Sequence, residues 1–237
     1  MDRVDRAVRV SWYDLPQAGA EAWLDWLHGT QLPRWAAAPG VAWVANYRSL
    51  PNGVPPGRVR HVEDGVVPAG NAYVLIAAAA DAHVFARERV FRATEGAPCA
   101  SINERVQIFT EEARVFGPAG EAAVKPPAAC IQMGSFSAAH HRHEEEILDW
   151  YVHNRLAAMR TATGCLSVRK YVSVTGWAKH GVLYEFESLA LRNAHFMQSA
   201  NADPASKAWS DRLVPSLVHA PGSPNVAVRL WPPPAAA

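Results

Sequence analysis

The stretch Leu148-Asp149-Trp150-Tyr151-Val152-His153-Asn154-Arg155-Leu156 runs on to Gly164 and then to Cys165-Leu166-Ser167-Val168-Arg169-Lys170-Tyr171. Ile147, Leu148, Tyr151, Val152, Leu156 and Met159 recur at three- and four-residue steps. That is the stripe of a helix lying on a core. Glu144, Glu145 and Glu146 fill the first turn, where carboxylates suit the positive helix end. Gly164 ends the helix, because it takes the left-handed cap conformation at little cost. The following run alternates, with Leu166, Val168 and Lys170 on one side and Ser167, Arg169 and Tyr171 on the other, so it reads as a strand with one covered face.

The same order is written earlier in the chain. Leu24-Asp25-Trp26 precedes Leu148-Asp149-Trp150 by 124 residues, and the same offset, without a gap, joins Gly40 to Gly164 and Tyr47 to Tyr171. A matched helix length, a matched stop and a matched strand tyrosine read as an internal duplication. The alternative is two unrelated amphipathic helices that share a tripeptide.

The chain has 237 residues, enough for one large domain or two small ones, and its 49% hydrophobic and 19% charged content is ordinary for a folded protein with a core. A net charge of +1 without a basic run leaves no nucleic-acid footprint. No apolar run is long enough for a membrane span, and Met1-Asp-Arg-Val-Asp-Arg lacks the apolar core of a signal peptide. Cys99, Cys130 and Cys165 are too few and too scattered for a disulfide framework or a zinc site. A cytoplasmic protein is the expectation.

Taken in order, Ala7 to Tyr13 reads as a strand and Ala20 to Ala37 as a helix. Pro33 predicts a kink or break near Gly29 to Leu32. Val41 to Leu50 is the second strand, with Val41, Trp43 and Ala45 expected on one face. Residues 51–70 are rich in Pro and Gly, have no counterpart in the second half, and suggest a short edge strand at Arg58 to Glu63. Ala72 to Ala80 is a strand covered on both faces, Asp81 to Arg92 has helical spacing, and Arg105 to Val115 closes the half. After a linker at Gly117 to Pro127 the order repeats: strand Cys130 to Phe136, helix His143 to Thr163, strands Leu166 to Val174 and Gly181 to Glu187. Helical pieces at Leu189 to Ala200 and Pro204 to Val218 follow, then a strand at Asn225 to Trp231 and a frayed tail.

Each half is thus β-α-β-β-α-β, a ferredoxin-like unit with helices on one face of an antiparallel sheet. The expected fold is α+β: two tandem repeats, residues 1–120 and 121–237, whose sheets bury their open faces against each other as a sandwich or barrel. Two sheets per chain can satisfy each other internally, so no further assembly is required. Homodimers are common among such units, and the reading leans toward one.

Glu144-Glu145-Glu146-Ile147-Leu148-Asp149-Trp150-Tyr151, the later Gly164, the strand to Tyr171 and Leu183-Tyr184-Glu185-Phe186-Glu187 together resemble the dimeric α/β barrel superfamily, and within it the EthD-like group. The resemblance covers residues 127–231 well and 7–116 more weakly, through Asp25-Trp26, Leu32-Pro33 and Pro39-Gly40. It implies a fold more sharply than an activity: the superfamily includes cofactor-free monooxygenases, lactone isomerases, polyketide cyclases, haem enzymes and proteins of no known activity. In the family pattern a His stands five residues after the helix Trp. Here that position is Gln31 in one half and Arg155 in the other, and neither titrates near neutral pH.

Candidate site residues follow from position. Leu24, His28 and Gln31 share a helix face, so His28 is expected to face the sheet or a cavity beside it, as an acid or base or else as a hydrogen-bonded core histidine. Arg155 follows Leu148 and Val152 at the same steps. An inward Arg155 would need a carboxylate, a carbonyl or an anionic ligand, with Glu185 or Glu187 as partners, unless it snorkels outward. Tyr13, Tyr47, Tyr171 and Tyr184, with Trp12 and Trp43, lie on strands and could wall a ligand cavity on the barrel's inner face, or simply pack. His141 and Glu145 stand one helical turn apart, but the stretch is polar all round and reads as a solvated helix start rather than a metal site. Cys165 reads as a small buried residue. No phosphate loop or Gly-x-Ser-x-Gly elbow is present.

The expected function is that of an enzyme or enzyme-like protein that binds a small apolar, aromatic or polyketide-like molecule between sheet and helices, with isomerisation, cyclisation or cofactor-free oxygenation following, His28 and strand tyrosines handling protons, and no cofactor. A non-catalytic binding or accessory protein is the alternative. Haem binding is a third, implied by the resemblance alone, with His180 and His195 as loose candidate ligands.

Overall fold

Alternating strands whose two faces are both apolar dictate a sheet covered on both sides, and a closed barrel provides this. The computed structural model describes residues 5–51, 57–63, 65–91, 96–200 and 202–233. The expectations for the extreme N-terminus, the last tail residues, Arg92 and part of the 51–70 insertion fall outside them.

The strands are β1 (Ala7–Asp14), β2 (Val41–Leu50), β3 (Arg60–His61), β4 (Tyr73–Ala79), β5 (Ile102–Phe116), β6 (Cys130–Ala138), β7 (Cys165–Thr175), β8 (His180–Phe186), β9 (Leu217–His219) and β10 (Asn225–Trp231). They run in the order β10-β2-β4-β1-β5-β7-β8-β6, and β10 pairs back onto β6. Eight antiparallel strands therefore close a barrel, which leaves none of them with a bare edge. β9 and β3 extend from the far end of β6, β9 antiparallel to β6 and β3 parallel to β9. The order β2-β4-β1-β5 in the first half and β7-β8-β6-β10 in the second is the ferredoxin-like order, traced twice.

The helices lie outside the barrel. In the first half, α1 (Ala20–Trp26) and α2 (Leu32–Ala37) flank a π-helical turn at Leu27–Gln31, and a short α3 (Val84–Arg87) follows β4. In the second, α4 (Glu144–Trp150) and α5 (Leu156–Met159) flank a π-helical turn at Tyr151–Arg155, followed by α6 (Leu189–Ala200) and α7 (Pro204–Leu213). The two π turns stand 124 residues apart, at the offset of the sequence match. Pro33 lacks the N–H that an α-helical ladder needs, so a widened turn is the expected response in the first half. Ala157 occupies the equivalent place in the second half and the turn still forms, so a proline is not required for it.

Three apolar layers result. Val8, Val10, Trp12, Tyr47, Ile76, Phe109, Met133, Tyr171 and Leu183 pack inside the barrel. Trp23, Leu27, Leu32, Trp35, Leu75 and Phe91 form the layer under α1 and α2. Ile147, Trp150, Tyr151, Met159, Val168, Tyr184 and Phe196 form the layer under α4 to α6. Each large apolar side chain so buried contributes roughly 1.5–3 kcal/mol.

Several expectations are corrected here. Leu148 and Val152 are about half exposed, at 49% and 48%. The buried stripe runs instead through Ile147, Trp150, Tyr151, Asn154 and Arg155, one position round the helix, and continues after the π turn at Leu156 and Met159. Val41 packs under the helices, whereas Trp43 and Ala45 point into the barrel, because a bulge falls between Val41 and Trp43. The matching bulge in the second half falls between Cys165 and Ser167. The helix expected over Pro204 to Val218 stops at Leu213, and Leu217–His219 is a strand held by Phe136, Ser137 and Ala138. No helix is long and apolar enough to cross a membrane.

Candidate functional site

Each half has a cavity between its first helix and the outer face of the sheet. The residues that close the π turns, Gln31 and Arg155, line them. Trp43, Tyr47 and Tyr171 pack inside the barrel and line none of the cavities described here. Trp43 Nε1 donates to Asp5 Oδ2 at 3.0 Å, and the Tyr47 hydroxyl donates to the Ala128 carbonyl. Burial pushes the Tyr47 and Tyr171 phenols well above their ordinary range. The inner-face cavity expected around these residues is replaced by packed core.

The first cavity is the smaller, about 280 Å³, walled by Trp23, Trp26, Trp35, Phe91 and Tyr13, with Arg9 and Glu104 as its charges. Gln31 Nε2 and Trp35 Nε1 both donate to the Val90 carbonyl, at 3.1 and 2.9 Å. The Arg9 guanidinium lies 5.1 Å from the Trp35 ring centroid.

His28 lines neither cavity. It borders a shallow groove with Ala20, Leu24, Asp25, Arg48 and Tyr73. Its Nε2 lies 3.0 Å from Asn46 Nδ2, and Asn46 Oδ1 accepts from the Tyr13 hydroxyl at 2.9 Å. Because an amide nitrogen only donates, His28 Nε2 is the acceptor, so the ring is neutral and carries its proton on Nδ1. Burial holds its pKa below the ordinary histidine value, against the opposing charge of Asp25. His28 does face the sheet, as its helix position implied. The π turn, however, sends Gln31 rather than His28 into the cavity.

The second cavity, about 560 Å³, is larger and differently charged. Phe136, Trp150, Tyr151, Tyr184 and Phe196 give it aromatic walls, and Gln132, His219 and three arginines, Arg58, Arg155 and Arg192, give it polarity. Among the described residues no Asp or Glu lines it. Arg155 is 8% exposed, and its Nη1 is buried without a hydrogen-bond partner. Its guanidinium lies 4.9 Å from the Trp150 ring centroid and 6.0 Å from that of Phe196. Arg192 approaches the same Phe196 ring at 5.2 Å, donates to Gln132 Oε1 and to Asn193 Oδ1, and keeps a buried Nε without a partner. Arg58 is engaged by Asp211 at 3.0 Å.

The carboxylate expected to meet Arg155 is elsewhere. Glu185 points into the barrel, where it accepts from Ser167 and from Arg169 Nε. Tyr184, one residue earlier, points the other way and lines the cavity with Tyr151. Burial raises both phenols, so both hydroxyls stay protonated near neutral pH. Burial also pushes the His219 imidazole down to about 4, and the ring packs 5.4 Å from Phe136. Trp150 is anchored through Nε1 to Ser210 Oγ at 3.1 Å, which fixes the floor on which Arg155 rests.

The 51–70 insertion has a place here. Pro51, Arg58 and Val59 wall the second cavity, and Arg60 and His61 pair with Val218 and His219. A segment of the first half thus completes the site of the second. Of the residues singled out from the sequence, Arg155 and Tyr184 line this cavity, together with Tyr151, Gln132, Arg192, Phe196 and His219, which the sequence did not single out as lining. The one available signal was the i, i+4 spacing of Arg192 and Phe196 on α6.

The two histidines that the resemblance offered as haem ligands stand elsewhere. His180 is held by Glu144 at 2.8 Å and lies 2.9 Å from Lys170 Nζ, and neither His180 nor His195 lines the cavity. Among the described residues no three His, Cys, Asp or Glu side chains gather to hold a metal.

No protein-family model matches the chain, and no curated protein sequence does. Solved structures do match along nearly its whole length. An anthrone oxidase-like protein superposes with a TM-score of 0.62 at 12% identity, covering 97% of this chain and 94% of that one. A candidate monooxygenase from Lactobacillus acidophilus NCFM gives 0.58 at 8% identity, over 94% and 93%. A candidate chlorite dismutase gives 0.54 at 15% identity, over 96% and 95%. At such identities the likeness concerns the fold alone, and it agrees with the twice-traced ferredoxin-like order and the closed barrel: the chain has the fold of the dimeric α/β barrel superfamily.

Proposed function

We propose that the protein is a small-molecule enzyme or enzyme-like protein of this barrel type, built from a duplicated EthD-like unit, and that its working site is the second cavity. The observation that carries this reading is Arg155: a buried guanidinium with an unpartnered nitrogen, seated on Trp150 at the floor of an aromatic cavity of about 560 Å³. A volume of that order suits a small organic molecule, and aromatic walls with few polar groups suit an apolar or aromatic one. Isomerisation, cyclisation and cofactor-free oxygenation of such a molecule share a first step, transfer of a proton from the carbon beside a carbonyl to a base, and the lining group with a free lone pair for it is His219, whose buried Nδ1 has no partner. A fixed cation in a dry site stabilises the enolate so formed. The anthrone oxidase-like and monooxygenase neighbours make anthrones and related fused-ring ketones sensible first substrates to try.

A non-catalytic binding role is the second reading. It is favoured by Gln31 and Arg155 standing where the family pattern has His, and by His28 lying outside both cavities. Incubation with a panel of anthrones and aromatic ketones, followed by oxygen uptake, product analysis and crystallography, separates the two. Ligand density under α4 with turnover supports the enzyme. Density without turnover supports the binder. Ligand found only elsewhere on the molecule sinks both.

A further inference from the structure

We infer that the second cavity selects an organic anion, and specifically an aromatic carboxylate, as its ligand; this rests on that cavity being the site. Arg155 and Arg192 approach one ring, Phe196, with guanidinium carbons 6.0 and 5.2 Å from its centroid. Two like charges gathered at one aromatic ring repel each other, and a cation–π contact offsets that only in part. Proteins ordinarily neutralise such a cluster with a carboxylate. Here the lining supplies none, the nearby Glu185 is consumed by Arg169 and Ser167, and Arg155 has no ion pair among the described residues.

Two donors remain unused: Arg155 Nη1 and Arg192 Nε, both buried and without partners. A planar carboxylate accepts from two guanidiniums at once, because each oxygen offers two lone pairs. The protonated pair Tyr151 and Tyr184 adds hydroxyl groups beside them. Phe136 and Trp150 offer faces for the aromatic body of the ligand. The first cavity lacks this character. There Glu104 accompanies Arg9, and the neutral Gln31 replaces Arg155. The two halves therefore differ in ligand charge, and the anion belongs to the second.

The experiment is isothermal titration of the full chain with benzoate, 2-naphthoate and anthracene-2-carboxylate, each paired with its neutral carboxamide. The charge-assisted bonds predict that the best carboxylate binds about tenfold or more tightly than its carboxamide. Arg155→Met brings that ratio close to one while the carboxamide still binds, and Arg192→Met lowers it in part. Carboxamides that bind the wild type as well as carboxylates do overturn the anion proposal and leave the small-molecule site standing. A panel in which neither series binds the wild type sinks both. Should Arg155→Met fail to fold, the wild-type ratio and Arg192→Met decide, and a preference untouched by Arg192→Met counts against the proposal.

Discussion

Arg169 and Glu185 meet inside the barrel, Nε to Oε2 at 3.0 Å, with neither side chain more than 1% exposed. Arg169 also binds Asp5 Oδ2 from the first half, and Asp5 in turn pairs with Arg114 at 2.8 Å. Burial alone would raise the Asp5 pKa, but Arg169, Trp43 and Arg114 hold it below the ordinary carboxylate value. The chain so formed crosses from β5 to β7 and β8 and ties the N-terminal segment to the second half. It also takes Glu185 out of reach of Arg155, so the core network and the charge of the site are linked. Removing one partner of a buried pair leaves the other charge uncompensated, at about 3–5 kcal/mol. Arg169→Met is expected to lose stability of that size in urea unfolding, and a loss under about 1 kcal/mol would show that the network is not buried as described.

The two helix stops offer a comparison internal to the chain. Gly40 and Gly164 have φ of +80° and +76°. A side chain at either position costs about 1–2 kcal/mol for the backbone conformation alone. Their surroundings differ. A Cβ at 164 would stand 2.5 Å from Leu191 Cβ, close to the backbone of α6, whereas one at 40 would stand 2.9 Å from the movable tip of Val84. Gly164→Ala is therefore expected to destabilise more than Gly40→Ala, and both by more than about 1 kcal/mol. Equal losses in denaturant unfolding would contradict the close packing of α6 on the helix stop.

His219 gives the fold a pH dependence. Its imidazole is held by burial, and secondarily by His61, at about 4 against an ordinary 6.5. The unfolded chain therefore takes up a proton before the folded one does. Stability from this group is unaffected above pH 6.5, declines as pH falls from 6.5 to 4, and is fully lost below 4, a total of about 3 kcal/mol. His219→Gln is expected to flatten the stability profile between pH 7 and 4 relative to wild type. Other groups titrate in the same range, so the difference between the two profiles is the measurement. Parallel profiles would mean that His219 is not held neutral.

The barrel was legible in the sequence because its signals are local. Ala72 to Ala80 is apolar throughout and is indeed covered on both faces as β4. The bounds Leu189–Ala200 and Asn225–Trp231 came directly from periodicity and turn residues. What periodicity could not show were the places where an element changes phase. The π turns at Leu27–Gln31 and Tyr151–Arg155 shift every helix residue after them, and no residue type marks both. The bulges after Val41 and Cys165 do the same to β2 and β7. The orientation of Arg155 survived this, but its partner did not, since strand register decides which way Glu185 points.

Arg155 itself tests whether the site is held at the expense of stability. A buried charge without a partner is costly, and Met has similar length and no charge to desolvate. The contacts with Trp150 and Phe196 that would be lost are worth about 0.5–2 kcal/mol. Arg155→Met is therefore expected to unfold at a denaturant concentration no lower than wild type. A loss well beyond 2 kcal/mol would mean that Arg155 has a structural partner and is not waiting for a ligand.

His28 separates the sequence reading of the site from the structural one. It is the ionisable side chain that the helix pattern singled out, yet it lies in the shallow groove, hydrogen-bonded to Asn46, while the second cavity forms in the other half of the chain. His28→Ala is expected to change ligand binding and any turnover at the second cavity by less than about twofold. It should cost about 1 kcal/mol of stability through the loss of the bond to Asn46. A variant that keeps its fold, judged by circular dichroism and unfolding, but loses turnover would move the working site to the first half, where Asn46 connects His28 to Tyr13 at the wall of the smaller cavity.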